Sequence, residues 1–139
     1  MKSQASEATT VRRRVRICRP AFQDMHLLMP RLAARAQLRR HVMKLGFWLR
    51  GDAIVADLEC FQIPNEELFV VQVTDGFGMA EGFQVVFCEV SMPEPLGTIC
   101  VLSVMRVGEP FSDATLNILR GREIIARERL NGWFPTRDL

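Results

Sequence analysis

The sequence lacks any long apolar run, because its uninterrupted apolar stretches are only a few residues long. A membrane-spanning helix needs about 20 such residues, so we expect no membrane partner. No charged start followed by an apolar core and a cleavage site opens the chain, which predicts a cytoplasmic protein. The 139 residues, 48% hydrophobic and 24% charged, are typical of a single globular domain.

Metal-ligating residues are few and scattered. The cysteines stand singly with no C-x-x-C pair, and His26 and His41 are the only histidines. A structural zinc site needs four clustered ligands, usually presented in close pairs, so we expect no metal and no cofactor. We expect four buried, reduced thiols, at Cys18, Cys60, Cys88 and Cys100.

Nucleophile and phosphate-loop motifs are also absent. The sequence has no G-x-S-x-G, and Gly76, Gly78 and Gly82 lie between two predicted strands, not between a strand and a helix. Asp57 and Glu59 share one strand face, as acid–base chemistry would require, but a solvated strand face is the favoured interpretation.

Charge is strongly segregated along the chain, although the net charge is only +2. Residues 1–50 carry +10, residues 51–100 carry −9 without a single lysine or arginine, and residues 101–139 carry +1. Such asymmetry indicates an anionic partner for the basic part. The alternative is that the basic and acidic parts face each other inside one fold or across a dimer.

The first half of the chain predicts a strand followed by two helices. Residues 1–10 are polar and small, so we expect a disordered tail ahead of a single domain at 11–139. Residues 11–18 alternate as a strand does, with Arg13, Val15 and Ile17 on one side. The helical pattern that follows is split by Pro30 into helices at about 21–29 and 31–49.

The longer of these two helices carries two apolar stripes, which predicts packing on two sides. One stripe is formed by Leu38, Val42, Leu45 and Leu49. The other is formed by Leu32, Ala36, Met43 and Phe47.

The second half predicts a meander and a closing helix. Four strands are expected, at Ala53–Phe61, Leu68–Thr74, Phe83–Val90 and Thr98–Val107. Their short turn-forming connections favour antiparallel pairing. Ser112 is a suitable N-cap for a last helix, and Asn131-Gly132 is a suitable stop. The expected fold is α+β: an N-terminal strand, a helical hairpin, a four-strand antiparallel meander and a C-terminal helix.

Arginine is the remaining residue type whose side chain could carry the function. Guanidinium groups bind phosphates bidentately, and a row of them can follow a nucleic-acid backbone. We expect nine arginines to bind nucleic acid or a partner: Arg12, Arg14, Arg16, Arg35, Arg39, Arg40, Arg120, Arg122 and Arg127. The alternative is an ordinary solvated helix face, on which Glu123 pairs with Arg127 at i and i+4.

Six strings carry a family resemblance. They are VRRRVRICRPAF, PRLAARAQLRRHVMKLG, ELFVVQV, GFQVVFCEV, GTICVLSVMRVGEPF and SDATLNILRGREIIARERL. In this order they resemble the first strand, the second helix, the meander strands and the closing helix of the RelE/ParE toxin superfamily, closest to its phage-derived HigB-like branch. The likeness covers most of residues 11–130.

The resemblance implies a RelE-like toxin of a toxin–antitoxin pair that acts on mRNA and the ribosome, or on another nucleic-acid machinery, with an antitoxin protein as partner. It implies an mRNA endoribonuclease in which Arg106 contacts phosphate, helped by arginines of the helices. Nucleases of the family place Arg, Lys and often Tyr or His on the sheet. This chain has no Tyr, and Gln84 stands where the family usually has Arg, so a non-nuclease toxin resembling ParE is also open.

Two other hypotheses remain open. One is a non-enzymatic regulatory or adaptor protein that binds nucleic acid or a protein partner through its segregated basic and acidic surfaces. The other is a hotdog-type thioester-binding homodimer, because a strand, a long helix and a four-strand meander suit that fold. Pro30 and the basic helix surface argue against the hotdog alternative.

Overall fold

A computed structural model describes residues 12–55, 58–74, 82–91, 97–128 and 134–135, and within them seven strands form one sheet. The strands are β1 (Arg14–Ile17), β2 (Ile54–Val55), β3 (Leu58–Gln62), β4 (Phe69–Val73), β5 (Phe83–Val90), β6 (Thr98–Arg106) and β7 (Phe134–Pro135). The helices are α1 (Arg19–Leu28), α2 (Leu32–Met43) and α3 (Asp113–Glu128), with a 3-10 turn at Lys44–Phe47 after α2. The predicted α+β architecture is confirmed, whereas the predicted tail at 1–10 lies outside the described residues.

The sheet has the order β2-β3-β4-β5-β6-β1-β7. Strands β3 to β6 form the predicted antiparallel meander. β1 lies parallel to β6, with Arg14 opposite Thr98 and Ile17 opposite Val101. The backbone of β7 pairs with the other side of β1, so the N-terminal strand lies inside the sheet.

The two central strands are buried on both faces. All of Phe83–Cys88 in β5 and all of Thr98–Met105 in β6 are buried. Successive residues of a strand point to opposite faces, so Phe87 and Cys88 mark the two sides. Trp48, which follows the 3-10 turn, packs on Phe87, and Arg127 of α3 lies near Cys88. One face of the sheet is therefore covered by the 3-10 turn after α2, and the other by α3 together with α1, whose Asp24 hydrogen-bonds with Ser103 of β6 and Arg122 of α3.

Three aromatic rings hold the 3-10 turn on the sheet. The ring centroid of Trp48 lies 4.7 Å from that of Phe69 and 5.1 Å from that of Phe87, and the two phenylalanines stack at 5.8 Å. Trp48 is almost completely buried, and its Nε1 donates to the carbonyl of Asp52 at 3.2 Å. Such aromatic pairs contribute about 0.5–1.5 kcal/mol beyond the burial of their area.

The predicted single strand Ala53–Phe61 is wrong. The chain reverses within it, and β2 pairs antiparallel with β3, so that Ile54 lies opposite Glu59. Cys60 is buried as predicted and Leu58 is buried with it, but Ile54 is 63% exposed. β2 supplies hydrogen-bond partners to what would otherwise be a free sheet edge. Apolar alternation is the same whether a strand continues or folds back, so the pattern gave no sign of the reversal.

The predicted helix at 31–49 ends early. α2 stops at Met43 and gives way to the 3-10 turn, because the backbone N–H of Arg13 donates to the carbonyl of Gly46 at 2.7 Å and docks this segment against the start of β1. Leu49, predicted on the buried stripe, is 54% exposed in consequence. The second predicted stripe is also largely uncovered, with Leu32 70% exposed.

Two local predictions, the cap of α3 and the burial of the cysteines, are confirmed. Ser112 caps α3, since its Oγ accepts from the backbone N–H of Thr115 at 3.2 Å. The four cysteines are free and buried. Within the described ranges no three or more His, Cys, Asp or Glu residues are grouped as a metal site would require, and no helix is long and apolar enough to cross a membrane. The predicted stop at Asn131-Gly132 lies outside the described residues.

We predict that Gly46→Ala destabilises the fold by about 1–3 kcal/mol. An added Cβ would lie 2.7 Å from the carbonyl oxygen of Arg13. The matched control is Gly121→Ala in α3, where nothing lies within 4 Å of the added carbon. That change should stabilise by up to about 1 kcal/mol because alanine favours helix. Urea unfolding followed by circular dichroism measures both, and equal stability of the two variants would contradict the prediction.

Candidate nucleic-acid interface

The three predicted arginines of α3 are ion-paired within the chain. The Arg120 guanidinium donates to both carboxylate oxygens of Glu66, and these hydrogen bonds lower the pKa of Glu66. Arg127 pairs with Glu123 at 2.8 Å, the predicted i, i+4 pair, and also donates to the carbonyl of Glu89. The charge of both guanidinium groups is thus matched by a carboxylate of the same chain.

Arg122 is the most deeply engaged of the three. Its Nη1 donates to Oδ2 of Asp24 at 2.8 Å and to the carbonyl of Leu102 at 2.9 Å. Ser103 also donates to Oδ2 of Asp24, at 3.0 Å. These contacts tie α1, β6 and α3 together, so Arg122 has a structural role whatever else it does.

Two arginines that were not among the predicted site residues form the most buried ionic cluster. Arg13 is only 8% exposed; its Nη1 donates to Oε2 of Glu89 at 2.7 Å, and its Nη2 donates to the carbonyl of Trp48. Arg50 donates to the other oxygen of Glu89 at 3.0 Å and to Glu67 at 3.2 Å. The sequence did contain a signal for Arg13, since it shares the inward side of the strand with Val15 and Ile17.

Burial alone would raise the pKa of Glu89. The hydrogen bonds from Arg13 and Arg50, with their positive charges, outweigh it and hold the pKa below its ordinary value of 4.5. The basic and acidic parts of the chain therefore do face each other at this point, which was one of the two alternatives for the segregated charge.

The remaining predicted arginines differ in environment. Arg35 is half-buried and donates to the carbonyls of Met29 and Pro30 at 2.9 and 2.8 Å, where it closes the turn between α1 and α2. Arg16 of β1 is half-buried, and its Nε is buried without a partner among the described residues. Arg14 of β1 and Arg106 at the end of β6 are exposed.

Five cations around α2 have neither an acidic partner among the described residues nor, unlike Arg35, a side-chain hydrogen bond to a backbone carbonyl. We use the name α2 basic face for the exposed and half-buried cations on and next to α2, which lie on more than one side of the helix: Arg12, Arg31, Arg39, Arg40 and Lys44. In the part of the chain that the structure describes, none of them forms an ion pair with a carboxylate. The sequence explains why, since residues 25–51 contain no Asp or Glu at all.

An exposed aromatic ring adjoins this face. The guanidinium carbon of Arg12 lies 5.8 Å from the ring centroid of Phe47, which is 46% exposed. Exposed aromatic rings next to cations are typical of surfaces on which nucleic-acid bases stack. Phe47 was predicted as part of an apolar stripe of a longer helix. Because α2 ends at Met43, the ring of Phe47 is exposed to solvent.

Comparison of the chain with family models, with curated proteins and with solved structures finds no match. The α2 basic face, with the exposed ring of Phe47 beside it, is therefore the feature of the molecule that bears most directly on function.

We predict that Glu89→Gln destabilises the fold at pH 7 by about 1–3 kcal/mol, because Arg13 would lose the carboxylate that compensates its buried charge. The folded-state pKa of Glu89 is lowered, so its stabilisation is present above its ordinary value of 4.5 and is lost as the pH falls through the folded-state pKa. The variant should therefore lose less stability than the parent protein between about pH 5 and pH 3.

Glu67→Gln is the control, since the pair between Glu67 and Arg50 is exposed and should contribute no more than about 1 kcal/mol. Thermal unfolding at several pH values measures all three proteins. Parallel pH profiles for Glu89→Gln and the parent protein would contradict the assignment.

Proposed function

We propose that this protein binds single-stranded nucleic acid through the α2 basic face. The observation that carries the proposal is the contrast between two groups of cations. Those of α3 and the Arg13 cluster are compensated by carboxylates of the same chain. The five of the α2 basic face are not, and are left to attract an external polyanion.

Phosphate is the partner that the unpaired cations of the α2 basic face would bind most favourably. An exposed cation that binds a phosphate releases a condensed counterion, and this release drives association. A cation already paired with a carboxylate must first break that ion pair, so its binding to a phosphate is less favourable. The free cations of the α2 basic face therefore contribute most of the affinity in this proposal.

Phe47 supports a single-stranded target. A base can stack on the exposed ring only if it is unpaired, and each such stack contributes about 1–3 kcal/mol. The adjacent guanidinium of Arg12 is placed to contact the phosphate of the same nucleotide. An adaptor that binds nucleic acid would use this surface, and so would a toxin whose partner is RNA or the ribosome.

We predict that a fluorescein-labelled oligonucleotide of 12 uridines binds with a steep salt dependence. With about five phosphate contacts, the slope of log K against log[KCl] should be about −3.5 between 50 and 200 mM. The combined variant Arg31→Gln, Arg39→Gln and Lys44→Gln should reduce the magnitude of that slope by about 2. Fluorescence anisotropy measures both quantities.

The matched control removes three cations that are ion-paired within the chain, as Arg50→Gln, Arg120→Gln and Arg127→Gln. It changes the net charge by the same amount but should leave the slope within about 0.7 of the parent value. Equal loss of binding in both combined variants would show that net charge, and not the α2 basic face, governs binding.

The order of elements favours a finer form of the proposal, a RelE-like toxin with an antitoxin partner. In that form Arg106, exposed at the end of β6, is the residue proposed to contact the reacting phosphate. Arg120 and Arg122 are held by Glu66 and Asp24, so the proposal assigns them no catalytic part. The hotdog-type dimer is not favoured, since helices already cover both faces of the central strands.

Strong induction of the intact gene should arrest growth if the finer proposal holds. Arg106→Ala should relieve the arrest while the purified variant keeps its oligonucleotide affinity within about threefold. Colony counts after induction measure the first effect and anisotropy the second. Normal growth at confirmed expression would contradict the toxin proposal and leave the binding proposal in place.

A further inference from the structure

A second concave surface lies between α1, β6 and α3, apart from the α2 basic face. It encloses about 280 Å³ and is lined mainly by apolar side chains such as Leu28, Met105 and Ile118. Its polar lining includes Asp24, Ser103 and Arg122. A volume near 300 Å³ is at the small end of ligand pockets.

The ion pair in this pocket uses only some of its atoms within the chain. Oδ2 of Asp24 accepts from Ser103 at 3.0 Å and from Nη1 of Arg122 at 2.8 Å. Nη1 of Arg122 also donates to the carbonyl of Leu102 at 2.9 Å. Both contacts to β6 therefore fix the positions of the carboxylate and the guanidinium.

The other atoms of the same pair have no hydrogen-bond partner among the described residues. These are Oδ1 of Asp24 and Nη2 of Arg122. Neither atom is completely buried. Both residues are about one-fifth to one-quarter exposed and line the pocket. The two residues that line the pocket thus retain one acceptor atom and one donor atom that no described residue uses.

We propose that this pocket binds a small apolar molecule that carries an amide edge. The amide N–H donates to Oδ1 of Asp24, and the amide carbonyl accepts from Nη2 of Arg122. The apolar body of the ligand lies against Leu28, Met105 and Ile118.

The charges of the lining exclude the simplest ionic alternatives. A carboxylate ligand would meet Arg122 but would be repelled by Asp24 and Glu109, which both line the pocket. An ammonium ligand would meet Asp24 and Glu109 but would be repelled by Arg122 and would leave Nη2 of Arg122 without an acceptor. A neutral group with one donor and one acceptor satisfies both free atoms at once and leaves neither buried without a partner.

The test is a titration of the ¹⁵N-labelled full chain with benzamide, followed by NMR. Benzoate and benzylamine have the same ring with an anionic or cationic head. Benzamide should shift amides of α1, β6 and α3 saturably, and the two charged analogues should bind at least about fivefold more weakly. Equal binding of all three would overturn the amide assignment, and no saturable shift with benzamide would overturn the site.

Two isoleucines of α3 supply a matched pair of variants. Ile118 and Ile124 are both 57% exposed, but only Ile118 lines the pocket. Ile118→Arg should weaken benzamide binding at least about tenfold by filling the mouth of the pocket, whereas Ile124→Arg should leave it unchanged. Equal effects of the two variants would overturn the proposal. Neither change touches the α2 basic face, so oligonucleotide binding is scored separately.

Discussion

The buried guanidinium of Arg13 is the contact on which the arrangement of this protein depends. It joins β1 to Glu89 of β5 and to the carbonyl of Trp48 after the 3-10 turn. Glu89 in turn holds Arg50, whose guanidinium lies 5.1 Å from the ring centroid of Phe69. A cation that is 8% exposed requires such compensation, since an unpaired buried charge costs several kcal/mol. The cluster therefore ties the segment that follows the 3-10 turn to the central strand β5.

Ion pairs of the same kind recur where the acidic part of the chain meets its basic parts. The acidic part supplies Glu66, Glu67 and Glu89 to arginines from both ends of the chain. α2 lies in an acid-free stretch and receives no such partner. Folding thus divides the arginines into those that hold the structure and those that remain available to a partner, a division that composition alone does not reveal.

Elements with strong local signals were predictable from the sequence. The alternation around Val15, the break at Pro30 and the cap at Ser112 each depend on a few neighbouring residues, and each is confirmed. The pair of Arg127 with Glu123 was predictable for the same reason, because helical spacing alone brings the two together.

Features that depend on distant contacts were not predictable. The partner of Arg120 lies 54 residues away and that of Arg122 lies 98 residues away, so no local pattern distinguishes these arginines from Arg39 or Arg40. The early end of α2 has the same origin, since it depends on the contact between Gly46 and Arg13. The β2–β3 reversal is different, because its alternation is equally consistent with one straight strand.

The parallel pairing of β1 with β6 has a consequence for synthesis of the protein. The thiol of Cys18, directly after β1, donates a hydrogen bond to the carbonyl of Leu102, which lies 84 residues further along the chain. β1 therefore emerges from the ribosome long before its partner strand β6. At about 5–20 residues per second, the delay is about 4–17 s. Until the acidic strands follow, the arginine-rich N-terminal segment has none of their carboxylates to pair with, next to the anionic RNA of the ribosome that makes it. The emerging chain therefore carries a higher net positive charge than the complete protein.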